Sequence, residues 1–254
     1  MPVFQTLQEF KKKRASKKLQ AAPFYRKYPY RGKLPLSSAD SRGLVDFDLG
    51  IFFNRIRKAG NTTIVTNLAE LRFGGRLPGT DAKHAFPSPA SLTEPDVGRF
   101  ADLFKFVFVR NPYTRTLSAY LDKIAQGKRK PAGLAAGPGT VPAFADFCRY
   151  LSEGGLHENG HWAPQDDLLL IPVDHFDFIG KLENFDNDFD YVLGRIHGNG
   201  ADGRRHEVRV SRANQTNANR RMGEYYTAQT AETVARLFEA DFKAFGYAME
   251  PDFL

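Results

Sequence analysis

The sequence predicts an α/β fold: a parallel sheet flanked by helices, forming a single domain over residues 46–254 behind a basic arm at 1–45. Three observations carry this. Strand, loop and helix recur in that order at least three times, the pattern of parallel α/β units. The run KFVFVR at 105–110 is continuously apolar at its centre, as suits a strand covered on both faces. The 254 residues are 42% hydrophobic and include 22 Phe, enough for the core of one sizeable domain.

Element by element, residues 1–45 are basic, then rich in Pro, Tyr and Ser, and read as a short helix followed by an irregular arm. Residues 50–56 (GIFFNRI) have strand length and composition, and Ile64, Leu68 and Leu71 then follow helical spacing. Residues 73–95 read as a long Gly/Pro loop and 96–103 as a short helix. After the 105–110 strand, Asn111 can cap a helix that Pro112 opens, with Tyr113, Leu117, Tyr120, Leu121 and Ile124 on one face. A loop at 127–140, a helix at 141–152 and a loop at 153–175 containing HWAPQ precede a third strand at 176–182 and a helix at 185–196. The polar, Arg-rich stretch 197–222 leads to an amphipathic helix at 230–247, lined by Val234, Leu237, Phe238, Phe242 and Phe245.

The formal net charge of +7 points to an anionic partner. Three basic clusters stand out: Lys11–Arg14 with Lys17 and Lys18, Lys128–Lys130, and the arginines between Arg204 and Arg221. Aromatic residues do not interleave with them, as a single-strand nucleic-acid platform needs. The N-terminal cluster reads as a solvated face or arm able to touch a membrane surface. No apolar run reaches the ~18 residues of a spanning helix, and the N-terminus lacks the pattern of a signal peptide. The lone Cys148 reads as a small buried hydrophobe, and a cytoplasmic protein is expected.

Two segments carry chemistry. Arg57, Lys58, Ala59, Gly60, Asn61, Thr62 and Thr63 lie between a strand and a helix. A helix start offers unpaired N–H groups and a positive dipole end, and small residues let an anion approach them. Lys58 adds a charge and the threonines add hydroxyls, so the segment has the make-up of a phosphate cradle. It is not a GxxxxGK[ST] loop, because Lys precedes Gly. The competing reading is an ordinary strand–helix turn. In the second segment, Arg110 closes a strand at the carboxyl edge, where open α/β sheets bind ligands. Ser118 lies two turns along the helix from Asn111, able to add a hydrogen bond to an anion held by Arg110. Here the alternatives are a salt-bridged arginine and a solvated serine.

The order strand-KxGxT-helix, then strand-RxPxxRxxSxY-helix, resembles the two nucleotide-binding segments of sulfotransferases that use 3′-phosphoadenosine 5′-phosphosulfate (PAPS). It is most similar to the carbohydrate branch that includes chondroitin, dermatan and HNK-1 enzymes and their bacterial relatives. FNRIRKAGNTT, FVRNPYTRTLSAY, HWAPQ, FDFIGKLENF and DFKAFGY occur in the order of that branch, over roughly residues 50–248. The resemblance implies a P-loop-like nucleotide-binding sulfotransferase fold and an O-sulfotransferase with a carbohydrate acceptor, releasing adenosine 3′,5′-bisphosphate. It implies Lys58, Gly60, Asn61, Thr62 and Thr63 around the 5′-phosphosulfate, and Arg110 and Ser118 on the 3′-phosphate. Arg57 stands where the family usually has Pro.

Sulfuryl transfer through a loose in-line transition state builds charge on the bridging oxygen, which Lys58 can stabilise. No metal is required and no dense carboxylate cluster suggests one. The acceptor hydroxyl calls for a base. His161 in HWAPQ is the first candidate and His84 the second, with His157 and Glu70 behind them. Trp162 either stacks on a sugar ring or joins the core. Arg212 and Asn217 belong to a stretch able to fold over the nucleotide. The competing classes are a kinase-like phosphotransferase, for which a Walker lysine and a magnesium-holding Asp are missing in context, and a basic nucleic-acid-binding module.

Overall fold

The computed structural model describes residues 16–134, 137, 139–198 and 216–253. Four strands form one sheet in the order β1-β2-β3-β4: β1 (Gly43–Asp46), β2 (Ile51–Asn54), β3 (Phe104–Val109) and β4 (Phe178–Lys181). β2, β3 and β4 run parallel, with Ile51 opposite Phe104 and Phe106 opposite Phe178. The α/β class and the flanking helices match the expectation. The sheet is mixed, however, because β1 adds an antiparallel edge strand. The connection at 47–50 is too short for a crossover, so the chain can only fold back on itself. Asp46 Oδ1 fixes that turn by accepting from the Asp48 and Leu49 amides at 2.9 and 2.7 Å.

The boundary expected at residue 45 therefore falls inside β1. The segment before it packs on the sheet: α1 (Pro23–Lys27) and α2 (Leu36–Asp40) bury Phe24, Tyr25 and Leu36 against Val45, Phe52 and Phe100. Residues 11–15 of the N-terminal basic cluster lie outside the described residues.

The side chains of β3 alternate between two cores, as strand geometry requires. Phe104, Phe106 and Phe108 face α3 (Asn61–Phe73) and α8 (Phe185–Gly198). Val107 and Val109 face Ile56, Leu168, Leu169 and Phe245. The long loop after α3 contains a short helix, α4 (Gly79–Ala82), and a 3-10 turn at Pro89–Ser91. α5 (Glu94–Arg99) follows, capped by Thr93 with a reciprocal bond from Asp96. α6 (Pro112–Ala119) begins at the Asn111 cap, as expected, and runs into a π-turn at Tyr120–Ile124.

A separate helical core joins α6 to α7 (Phe144–Ser152), α9 (Met222–Tyr225), α10 (Ala228–Leu237) and α11 (Glu239–Ala244). The single helix expected over 230–247 is thus two, parted at Phe238. The break divides its apolar residues between cores: Val234, Phe238 and Phe242 stay in the helical one, and Phe245 reaches the sheet.

The loop at 153–175 is held by polar fasteners, because its buried backbone groups must find partners. Asn54 accepts from the Leu170 amide at 2.8 Å and donates to the Leu168 carbonyl at 3.2 Å. Gln165 exchanges two bonds with the Arg110 backbone, at 2.9 and 2.8 Å. Asp241, 0% exposed, accepts from the Gln165 and Asp166 amides at 2.8 and 2.9 Å. Asp241→Ala strands both amides and should lower the unfolding free energy in urea by about 3 kcal/mol; a loss below about 1 kcal/mol would show that Asp241 does not secure this loop.

Candidate functional site

At the carboxyl ends of β2 and β3 lies an open cleft of about 910 Å³. Its floor is the turn from β2 into α3. Lys58 (φ 68°) and Gly60 (φ 73°) both adopt left-handed backbone. At Gly60 an added Cβ would come within 3.1 Å of Leu182 and 3.2 Å of Phe185, so glycine is required by both conformation and space. Lys58 holds its strained conformation, costing on the order of 1 kcal/mol, because its neighbours are pinned. Arg115 Nε donates to the Arg57 carbonyl at 3.1 Å and Arg110 donates to the Lys58 carbonyl at 3.4 Å. The N-cap position of α3 is Gly60, which has no side chain to cap the helix, and Asn61, Thr62 and Thr63 of its first turn line the cleft. That end offers an anion the positive pole of a 13-residue helix.

The opposite wall comes from the β3–α6 junction. Arg110, 8% exposed, donates to Thr114 Oγ1 at 2.9 Å and to Asn219 Oδ1 at 2.6 Å. Ser118 Oγ lies 2.9 Å from Thr216 Oγ1. Both groups therefore already engage the segment 216–219, which forms the remaining wall together with Asn217 (φ 50°) and Arg220. Burial, opposed by nearby Glu183 and Tyr247, lowers the Arg110 guanidinium to about 10, where it stays charged at neutral pH.

Lys58 Nζ is 3.0 Å from Asp122 Oδ2. Its pKa is lowered, chiefly by burial, with Asp122 acting in the opposite sense. Burial would raise the Asp122 carboxyl, but hydrogen bonds from Lys128, Lys58 and Lys123 outweigh it and hold the group well below the usual carboxylate range. Arg42, Arg57, Lys58, Lys83, Arg110, Lys123 and Arg220 line the cleft against two carboxylates, Asp122 and Asp186. Such an excess of cations with low-dielectric walls is an anion site.

His161 is half-buried beside Lys58 and Arg57. Asn159 Oδ1 accepts from the His161 amide at 3.1 Å, which identifies that atom as the carbonyl oxygen. His161 Nδ1 lies 2.7 Å from the same oxygen and 3.0 Å from Arg57 Nη1, so one tautomer donates to Asn159 and the other accepts from Arg57. In either tautomer the neutral ring keeps one nitrogen lone pair, the state a proton acceptor needs. Burial, then Lys123, Lys58, Arg42 and Arg129, depress the imidazole to about 3.

Of the residues singled out in the sequence, the cleft gathers Arg57, Lys58, Gly60, Asn61, Thr62, Thr63, Arg110, Ser118, His161 and Asn217. Ala59 belongs to the turn, but its side chain is packed in the sheet core. His84 is exposed and absent from the lining; its neighbour Lys83 occupies that wall instead. His157 pairs with Asp167 at 3.2 Å, away from the cleft, and Glu70 is likewise not in the lining. Trp162 is core: its ring packs on Phe147 and Tyr150, and its Nε1 donates to the Gly155 carbonyl at 2.9 Å. Arg212 lies outside the described residues. Asp122, Lys123, Arg42, Lys83, Thr216, Asn219 and Arg220 were missed. Asp122 had a signal, since it follows Ser118 by four residues on one helical face; Arg42 and Lys83 arrive through long-range folding and had none.

Residues 42–248 match the family model described as the sulfotransferase family. Carbohydrate sulfotransferase 14 of Mus musculus is 37% identical over 109 residues, covering 37% of this chain and 29% of the mouse protein. Carbohydrate sulfotransferase 12 of Xenopus laevis is 29% identical over 177 residues, covering 59% of this chain and 41% of the frog protein. Carbohydrate sulfotransferase 10 of Homo sapiens is 27% identical over 206 residues, covering 68% of this chain and 54% of the human protein. The chain thus spans 29% to 54% of the length of these curated relatives. No solved structure gives a significant match.

The tautomer and charge state of His161 are directly measurable. Long-range ¹H–¹⁵N spectra of the ligand-free protein should show a neutral ring at pH 5 and report which nitrogen carries its proton. The folded-state pKa of about 3 lies below the 6.5 of an ordinary histidine. The unfolded chain therefore takes up the proton first, and stability is lost as pH falls from about 6.5 towards about 3. His161→Asn should flatten that part of the stability profile. A ring that titrates near 6.5 in the wild type would remove the assignment.

Proposed function

The chain belongs to the sulfotransferase family, and on that premise we propose that it transfers a sulfuryl group from PAPS to a hydroxyl of a carbohydrate acceptor. The observation that carries the reading is the convergence of Lys58, Arg110, Ser118 and His161 on one cleft with a cationic lining. PAPS supplies the sulfuryl group on its 5′ side, with adenosine 3′,5′-bisphosphate as the leaving group. The lining fits a ligand with anionic groups at two ends: the β2–α3 turn with Lys58 receives one, and Arg110 with Ser118 the other.

In this reading Lys58 stabilises the charge that builds on the bridging oxygen. The α3 N-terminus and the hydroxyls of Thr62 and Thr63 hold the phosphosulfate. Arg110 and Ser118 hold the 3′-phosphate, exchanging their present bonds to Asn219 and Thr216 for bonds to it. The neutral His161 ring takes the proton of the acceptor hydroxyl. The cations that depress His161 are those that an anionic donor neutralises, so loading the cleft raises its basicity towards the range useful at neutral pH. The acceptor as a carbohydrate is supported by the printed names of the relatives. A reducing, cytoplasmic setting is supported by the single, buried cysteine.

Turnover with labelled PAPS and a panel of saccharides tests the reaction. Lys58→Ala should cut turnover by on the order of a hundredfold or more while adenosine 3′,5′-bisphosphate binding weakens less. His161→Ala should lose most turnover with affinity for the bisphosphate within a few-fold. Near-normal turnover in either variant would remove that residue from the mechanism.

Adenosine 3′,5′-bisphosphate should also raise the melting temperature more than ATP with magnesium. Arg110→Ala should weaken its binding by about 2–5 kcal/mol and Ser118→Ala by about 1 kcal/mol. Equal wild-type affinity for nucleotides with and without the 3′-phosphate would exclude this assignment.

A further inference from the structure

Asp122 is a buried carboxylate in the wall of a cleft built for anions, and its charge opposes the ligand that the rest of the lining attracts. Its oxygens are shared unequally. Oδ2 lies 3.0 Å from both Lys58 Nζ and Lys123 Nζ, and Oδ1 lies 2.7 Å from Lys128 Nζ. Removing Lys58 would leave each oxygen with a lysine. The carboxylate can therefore release Lys58 without becoming an unpaired buried charge.

The backbone explains its position. Asp122 sits in the π-turn, where the Ala125 amide bonds to the Tyr120 carbonyl at 2.9 Å. Such turns interrupt helices at functional positions more often than elsewhere. Tyr120 anchors the turn through its hydroxyl, 2.9 Å from the Pro142 carbonyl. Ser118 and Asp122 both face the cleft, one turn apart.

The groups facing Lys58 are Asp122 and Lys123 from the π-turn, Arg110 from the end of β3, and His161 from the HWAPQ loop. Asp122 is the anion among them. A buried ammonium beside two further cations loses its proton easily, and a neutral lysine cannot stabilise a leaving oxygen.

We propose that Asp122 is a positioning residue for the transfer: it holds Lys58 charged and aimed across the cleft, then yields it to the phosphosulfate while keeping Lys123 and Lys128. The inference rests on the sulfuryl-transfer reading above. It requires two opposite effects from one substitution. Asp122→Asn removes a like charge from the anion site, so at pH 6, below the alkaline limb, adenosine 3′,5′-bisphosphate should bind about fivefold tighter. The same change removes the anion that keeps Lys58 protonated. The efficiency kcat/KM for PAPS should then fall about tenfold or more at pH 8.5, with its alkaline limb moved to lower pH. A purely structural role would weaken binding and turnover together and leave the limb in place.

Calorimetric titration with adenosine 3′,5′-bisphosphate and pH–rate profiles with PAPS, on the full chain, test this. Asp122→Glu keeps the charge and should restore wild-type affinity and the wild-type limb. Asp122→Ser takes the place of Asp122→Asn should the amide variant fail to fold. Unchanged or weaker bisphosphate binding in the charge-removing variant, an unmoved alkaline limb, or Asp122→Glu behaving like that variant would each overturn the proposal. A wild-type protein that neither binds the bisphosphate nor transfers from PAPS overturns the sulfotransferase reading and this inference together. A wild type that does both beside an unaffected Asp122→Asn overturns this inference alone.

Discussion

The Arg115 guanidinium, 1% exposed beneath the cleft, donates to the carbonyls of Arg57, Ala163 and Gly160 at 3.1, 2.8 and 3.4 Å. One side chain thus ties the β2–α3 turn to the loop that carries His161, and does so from α6, the helix that carries Ser118. A lysine cannot serve three carbonyls in this planar fan. Burial lowers the group to about 10, with Asp241 opposing, so it remains a cation at neutral pH. Its charge is met by carbonyl dipoles and by that carboxylate at a distance. Three segments distant in sequence acquire a common frame before any ligand arrives, and the left-handed turn at Lys58 is held within it.

The cleft collects more positive charge than its carboxylates balance, and each group bears the consequence differently. Arginines stay ionised, Lys58 is paired with Asp122, and His161 gives up its proton. Self-repulsion of this kind works against the folded state and is relieved by anything anionic that binds. The stability of the protein and the loading of its cleft are therefore coupled through charge, without any change of shape being needed.

The parts legible in the sequence were those whose signal is local. The continuous apolar run of β3, the spacing of Ile64 and Leu68, the Asn111–Pro112 helix start and the face of Val234, Phe238 and Phe242 each follow from a short stretch and its period. Lys58, Arg110 and Ser118 were legible because a strand end and a helix start fix where such residues must sit. β1 was not, because GLVD is four residues whose burial comes from partners rather than from a pattern of its own. His84 and Lys83 illustrate the remaining limit: adjacent in sequence, they part at the surface, and only the packing of the loop after α3 selects which one faces the cleft. Trp162 was ambiguous for a different reason, since an aromatic ring suits a sugar and a core equally well, and its indole N–H found a carbonyl inside.

That burial gives the chain an optical property. Trp162 is the only tryptophan in the sequence, follows His161 directly and lies on the loop that Arg115 and Asp241 fasten. Its ring is 2% exposed and meets Phe147 edge-on, with centroids 5.6 Å apart. Excited at its red edge, the whole protein emits from this one indole, in an apolar setting that shifts emission to the blue. Loosening of the loop would bring water to the ring and redden the spectrum before the sheet, which has no tryptophan, reports anything. The molecule thus carries an intrinsic fluorophore where the loop bearing His161 meets its helical core.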